Sequence, residues 1–369
     1  MTTTPDAPAA TTTGAAGTTT LARRRVPHAG LAPVRVGRVS GLVRLRAVLV
    51  GLLGLAGLCA AAVAGIGHGD YPMHPADVVD VLFGGGTKMD RYVVFDLRLP
   101  RVLTGALVGL ALGLAGALTQ TVARNALASP DVLGVTQGAS VGAVAVVVLG
   151  GAGAAVSVPV AALLGALAAA VAVYALAWRR GVHGHRFILI GLAVGEVLSG
   201  LVSYLLVRAE IVDAAKATIW LNGSLSNRDW SSVRPLALSL CVLVPLALAT
   251  SFPTRALQFG DDTARGLGVR LQRAQLVVLL AAVGLAAAAT AAAGPIGFVA
   301  FLTPQVALRL VGGPKPPPLV SAVLGACLLV TADLVARTLT PHELPAGLVT
   351  AAVGAPYLLW LLTRTRRTS

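Results

Sequence analysis

Ten stretches of about twenty apolar residues, separated by short polar breaks, dictate what this chain can become. A bilayer core roughly 30 Å thick takes about 20 helical residues to cross. A crossing segment must also satisfy its own backbone hydrogen bonds, so each stretch reads as a membrane helix. The stretches run approximately 47–66, 102–122, 132–150, 154–178, 187–207, 235–252, 274–293, 296–312, 319–337 and 344–362. Of the 369 residues, 56% are hydrophobic and only 12% charged. A soluble domain needs about 25% charged residues to wet its surface. A water-soluble enzyme is therefore excluded, and no tripeptide or heptad repeat organises the glycines and prolines into a fibre. The expected class is an all-α polytopic membrane protein of the cell membrane.

Two divisions between spans rest on turn residues. Gly150-Gly151-Ala152-Gly153 splits an uncharged stretch that is too long for one crossing, and Gly294-Pro295 marks a tight reversal between the seventh and eighth spans. Ahead of the first span, residues 1–46 are rich in Thr, Ala and Pro and then in Arg, with no apolar periodicity, and read as a flexible basic cytoplasmic tail. Residues 47–364 form the ten-span domain and 365–369 a short basic cytoplasmic tail.

The formal net charge of +14 would point to nucleic acid in a soluble chain. Here it is a topology signal. With the N-terminus inside and ten spans, 20 of the 29 Lys and Arg fall on the cytoplasmic side and nine outside. The acids distribute the other way, with four inside, nine outside, and Glu196 and Asp333 within spans. The asymmetry places both termini in the cytoplasm and leaves no role for a nucleic-acid partner.

The chemistry available is sparse. All six histidines lie outside the spans, and His183 with His185 lacks a third ligand, so neither a metal site nor a cofactor is expected. Cys59, Cys241 and Cys327 sit in apolar runs, as small packing residues. No G-x-x-x-x-G-K-[ST] phosphate loop occurs, so the chain is not expected to be an enzyme, and any ATP that drives it is hydrolysed elsewhere. Asp333 lies one turn before Arg337, where an i,i+4 ion pair is its simplest role and a pathway or buried polar role the alternative. Glu196 lies mid-span, where a carboxylate marks either a pathway or a buried polar contact. Two polar segments look too structured to be connectors. Outside, residues 67–101 end with Arg98 and Arg101 at the mouth of the second span, either as snorkelling anchors or as a dock for an acidic partner. Inside, residues 257–275 carry helical punctuation suited to receiving a cytoplasmic partner.

Six runs, taken in order, resemble the FecCD family of permeases of importers for iron-siderophores, haem and cobalamin. They are Arg98-Leu-Pro-Arg101 followed by residues 105–144, Trp220-Leu-Asn-Gly-Ser-Leu225, residues 260–269, Ala293-Gly-Pro-Ile-Gly-Phe-Val299, residues 332–337 and residues 343–356. The resemblance implies the permease subunit of an ATP-driven ABC importer, with a ferric siderophore as the first expectation for its cargo. Haem or cobalamin is the alternative, and an ion-coupled secondary transporter is the rival of a different class. It also implies a path at the interface with a second permease subunit, the same chain or a related one. Cytoplasmic ATPase subunits and an extracytoplasmic substrate-binding protein complete the expected partners.

Residue by residue, the resemblance assigns Arg98, Arg101 and Arg337 to docking of the binding protein. It assigns Gly260, Asp261, Asp262, Ala264, Leu267 and Gly268 to coupling with the ATPase. Two departures carry expectations of their own. Ala126 replaces the family's usual proline and should loosen the inner turn. Gln305 replaces its usual histidine and removes a titratable group from the eighth span.

Overall fold

The computed structural model describes residues 31–36, 39–131, 134–150, 156–177, 184–250, 263, 266, 270–339 and 343–365. The chain divides into two compact units, residues 1–43 and 44–369. Within the stretch read as an aperiodic tail, β1 (Leu31–Val36) and β2 (Val39–Arg44) pair as a two-stranded sheet. Val34, Val36, Val39 and Val43 supply the β-branched side chains that favour extended backbone.

The second unit is helical. In order come α1 (Leu45–Gly67), α2 (Pro75–Leu82), α3 (Lys88–Tyr92), a π-helical turn over Val93–Arg98, and α4 (Leu99–Ala123). Then follow α5 (Val135–Leu149), α6 (Val158–Ala177), α7 (Gly184–Arg208), α8 (Ile211–Leu221) and α9 (Trp230–Ala249). Last are α10 (Leu271–Ala293), α11 (Val299–Val311), α12 (Pro318–Thr338) and α13 (Ala346–Thr365). Each of the ten apolar stretches corresponds to one helix. Among the described residues, seven helices are long and apolar enough to cross a membrane, while Val135–Leu149 of α5, Val299–Val311 of α11 and Ala346–Leu361 of α13 are shorter apolar segments. The short outer helices start on side-chain caps. Thr87 and Asp90 form a reciprocal capping box at α3, and His74 with Asp77 does the same at α2.

Helix α4 is the axis of the bundle. In its apolar window 78% of residues are buried inside the chain, and 72% in that of α10, against 6% for α1. The cause is a run of small residues that lets backbones touch, the packing mode available where water supplies no driving force between helices. A Cβ added at Gly109 would collide with the Gly325 carbonyl of α12, one at Gly113 with the Ser321 carbonyl, and one at Gly116 with the Ala300 carbonyl of α11. A second seam joins α5 to α6 at Gly138, Gly142 and Gly165.

Three of the sequence runs singled out above converge at the outer ends of α8, α10 and α13. Ser224 N donates to Ala293 O at 3.0 Å, Gly347 N to Gly223 O at 3.2 Å, and Thr350 Oγ1 to Gly297 O at 3.0 Å. Gly223 has φ +64° and Gly294 φ +77°, conformations that L side chains resist. A Cβ at Gly223 would also strike the Pro295 carbonyl. These runs are therefore a knot of close backbone contacts. The knot shortens the eighth apolar stretch to a 13-residue helix, α11, that is about 20 Å long.

Candidate functional site

Just outside that knot lies the densest charge cluster among the described residues. The π-helical turn places Arg98 at the N-terminal end of α4, Arg101 follows one turn on, and Asp333 and Arg337 face them from α12. Arg101 meets Asp333 side-on, with Nε at 3.1 Å from Oδ2 and Nη2 at 2.9 Å from Oδ1. Its remaining nitrogen, Nη1, lies 3.0 Å from Glu343 Oε2, and the Ser226 hydroxyl donates to the same oxygen at 2.9 Å. Arg337 Nε reaches Asp333 Oδ2 at 3.3 Å, the i,i+4 pairing, and Nη2 donates to Gly65 O at 3.2 Å. Arg98 donates to Ile66 O at 2.7 Å and to Tyr71 O at 2.8 Å.

The three arginines assigned to docking are thus brought together, and each already has work within the chain. Gly65 and Ile66 belong to the last turn of α1, whose carbonyls have no partner inside the helix and carry its negative dipole end. Arg337 and Arg98 satisfy them with positive charge. Asp333 is buried between Arg101 and Arg337, with side-chain exposures of 4%, 12% and 9% respectively. Three guanidiniums face Asp333 and Glu343, and the Asp70 carboxylate also acts on Arg98, so the charges of this outer cluster balance.

Glu343 and Ser226 were not among the candidate residues. The signal that points to Glu343 is its place at the head of the 343–356 run, on the outer side where acids balance bases. Burial alone would raise the Glu343 carboxyl, but the Arg101 charge, the Ser226 hydroxyl and Arg337 outweigh it. The group therefore ionises below its ordinary value of 4.5. A depressed carboxylate contributes stability that is complete above its unfolded pKa and is lost as pH falls through the folded one. Stability should accordingly decline below about pH 4.5, and Glu343→Gln should flatten that decline. Thermal unfolding of the detergent-solubilised protein across the acid range checks this, and identical pH profiles for the two proteins would contradict it.

At the inner end, the turn after α4 is fixed despite Ala126. Asn125 Oδ1 accepts from Leu127 N at 2.9 Å, and Asn125 O accepts from Ala128 N at 3.2 Å, so an Asx turn supplies the order that a proline would otherwise give. Burial raises Asp131, against the opposing hydrogen bonds of Thr136 and Ser129. Gln305 gains a partner where histidine was lost. Its Nε2 donates to Gln120 Oε1 at 2.6 Å, and Gln120 Nε2 donates to Phe301 O at 3.1 Å, tying α11 to α4 through a buried amide pair.

Glu196 stands at the centre of α7 and is exposed, with no partner among the described residues. Gly260, Asp261, Asp262, Ala264, Leu267 and Gly268 lie outside the described residues. No cluster of three metal-ligating side chains occurs among those described.

Comparison with known proteins agrees with the arrangement of runs and helices. The profile of the FecCD transport family matches residues 52–364. The ferric enterobactin transport system permease of Escherichia coli (strain K12) is 37% identical over 326 residues, 88% of this chain and 98% of that protein. The iron(3+)-hydroxamate import system permease of Bacillus subtilis (strain 168) is 37% identical over 300 residues, 79% and 89% of the two chains. A solved metal-chelate type ABC transporter in an inward-facing conformation superposes with a TM-score of 0.74 at 28% identity, covering 85% of this chain and 98% of that one.

Proposed function

Because the chain belongs to the FecCD transport family, we propose that it carries a ferric siderophore inward as the permease subunit of an ATP-driven importer. The observation that supports this most is the near-complete correspondence with a metal-chelate ABC transporter, to which all but a small part of that chain aligns. Relatives are named for ferric enterobactin, iron(3+)-hydroxamate, Fe(3+) dicitrate and achromobactin, and the first three of these are ferric chelates.

In this reading the chain makes and breaks no covalent bond. Two cytoplasmic ATPase subunits act on the segment containing Gly260, Asp261, Asp262, Ala264, Leu267 and Gly268, and their cycle re-packs the spans between outward-open and inward-open arrangements. The path lies against a second permease subunit. A substrate-binding protein delivers the chelate at the outer face, where the guanidiniums of Arg98, Arg101 and Arg337 suit an acidic docking surface.

Arg98 is the cleanest probe of that dock, because Arg101 and Arg337 also hold Asp333. Arg98→Gln should weaken association with the binding protein several-fold at low salt, with the difference shrinking once salt shortens the screening length to about 3 Å near 1 M. Affinity that is unchanged at low salt would remove Arg98 from the dock. The cargo itself is tested by mass spectrometry of the chelate that the cognate binding protein retains, and a ligand without ferric iron would refute the siderophore assignment.

A further inference from the structure

Of the three arginines at the outer face, Arg101 is the least free to receive a partner. Each of its guanidinium nitrogens is already engaged. Nε and Nη2 donate to Asp333, and Nη1 donates to both oxygens of Glu343, at 3.2 Å from Oε1 and 3.0 Å from Oε2. A carboxylate arriving from outside therefore finds every nitrogen of Arg101 occupied. It also meets like charge. Asp333, Glu343 and Asp70 already balance the three arginines, so one more carboxylate makes the cluster negative unless an internal acid withdraws.

The three acids differ in how readily they can leave. Asp333 is 4% exposed and holds two guanidiniums, so it is fixed. Asp70 acts on Arg98 and not on Arg101. Glu343 is 51% exposed and lies ahead of α13, outside any helix. Apart from Arg101, its one hydrogen bond comes from the Ser226 hydroxyl, at 2.9 Å from Oε2. An ion pair with an exposed member is weak, because water competes for the carboxylate and the side chain must be held still. Glu343 thus fills the outward nitrogen of Arg101 by the same kind of bond that an acidic partner would make, and it fills it weakly.

We propose that Glu343 is a built-in competitor at the dock: at rest its carboxylate occupies Arg101, and a carboxylate of the substrate-binding protein displaces it when the two proteins meet. The proposal rests on the docking reading above and adds a regulation of that same surface. A seat that is free for only part of the time lowers the apparent affinity of the partner by that fraction. Loosening Glu343 should therefore tighten docking, although it removes a contact from the folded chain.

The test is the affinity of the cognate binding protein for the assembled importer in nanodiscs at low salt. Glu343→Asp keeps the charge but is one methylene shorter, which takes the carboxylate away from Arg101. It should raise affinity about two- to fivefold, the factor that corresponds to an exposed ion pair. Ser226→Ala removes only the hydroxyl that steadies Glu343, and should raise affinity by less. Neither variant alters the net charge, so the general field of the outer face does not account for a rise. Damage to the fold would weaken binding, the opposite sign. Ser226→Ala carries the test alone should Glu343→Asp lower the yield of folded importer.

Unchanged or weaker binding in folded Glu343→Asp and Ser226→Ala would overturn the competitor. Arg98→Gln, measured in the same series, separates this from failure of the dock. If Arg98→Gln weakens binding while the other two variants leave it unchanged, the dock stands and the competitor falls. If none of the three variants changes affinity, both fall.

Discussion

Asp333→Ala should lower the stability of the folded chain by about 3–5 kcal/mol, the cost of leaving buried charge without its partner. Asp333 is nearly inaccessible and holds two guanidiniums, Arg101 side-on and Arg337 from the next turn of its own helix. Removing it strands both. Arg101 keeps only Glu343, which is half-exposed, and Arg337 keeps only backbone carbonyls, those of Gly65 and of position 333. An exposed i,i+4 pair would contribute only about 0.3–0.5 kcal/mol. Thermal and denaturant unfolding in detergent or nanodiscs separates the two cases, since a loss below about 1 kcal/mol would show that the cluster is solvated and individually weak. Asp333→Asn, which keeps acceptor and shape but not charge, should fall between wild type and alanine.

The second large effect is expected at Gly116. Leucine there should prevent α11 from docking on α4, because even a methyl group would strike the Ala300 carbonyl. An ordinary overpacked core site costs about 1–3 kcal/mol, since side chains can shift. Backbone against backbone leaves nothing to shift, and the displacement would also break the Gln120–Gln305 pair one turn away. Gly116→Leu should therefore yield little folded protein by size-exclusion chromatography after membrane extraction. Gly200→Leu on the open face of α7 should leave yield unchanged. Equal recovery of the two variants would mean that the α4–α11 contact is not decisive.

Much of the architecture was legible because its signal is long. Twenty apolar residues are visible without knowing what they pack against, and all ten stretches became helices. The boundaries that moved are those set by tertiary contact. Nothing local in residues 296–298 says that Gly294 and Phe298 adopt positive φ, which delays α11 until Val299. The short outer helices α2, α3 and α8 fell below the length that apolar periodicity resolves, although the Thr87–Asp90 box is a local signal that marks α3.

The charge cluster was legible in its cations and not in its connections. Arg98, Arg101 and Arg337 stand out as bases at the ends of spans on an outer face that sums to zero. That two of them close the end of α1 could be learned only from where α1 ends in space. Glu343 was hidden for the same reason, since its partner Arg101 lies 242 residues away. Gln305 shows how a sequence departure can mislead when read alone. The absence of a titratable histidine was visible, whereas the amide pair with Gln120 depends on how α4 and α11 cross. Glu196 was conspicuous from the outset as a charge in mid-span, and the structure added that it is exposed there.

On the proposed function, this chain supplies a path whose motion is driven by ATP hydrolysed in other subunits. Reconstitution into proteoliposomes loaded with ATP, with the cognate ATPase and binding protein added in turn and a radiolabelled ferric siderophore outside, tests it most directly. The predicted result is accumulation only when both partners and ATP are present, and none by the chain alone under a proton or sodium gradient. Gradient-driven accumulation by the chain alone would contradict it.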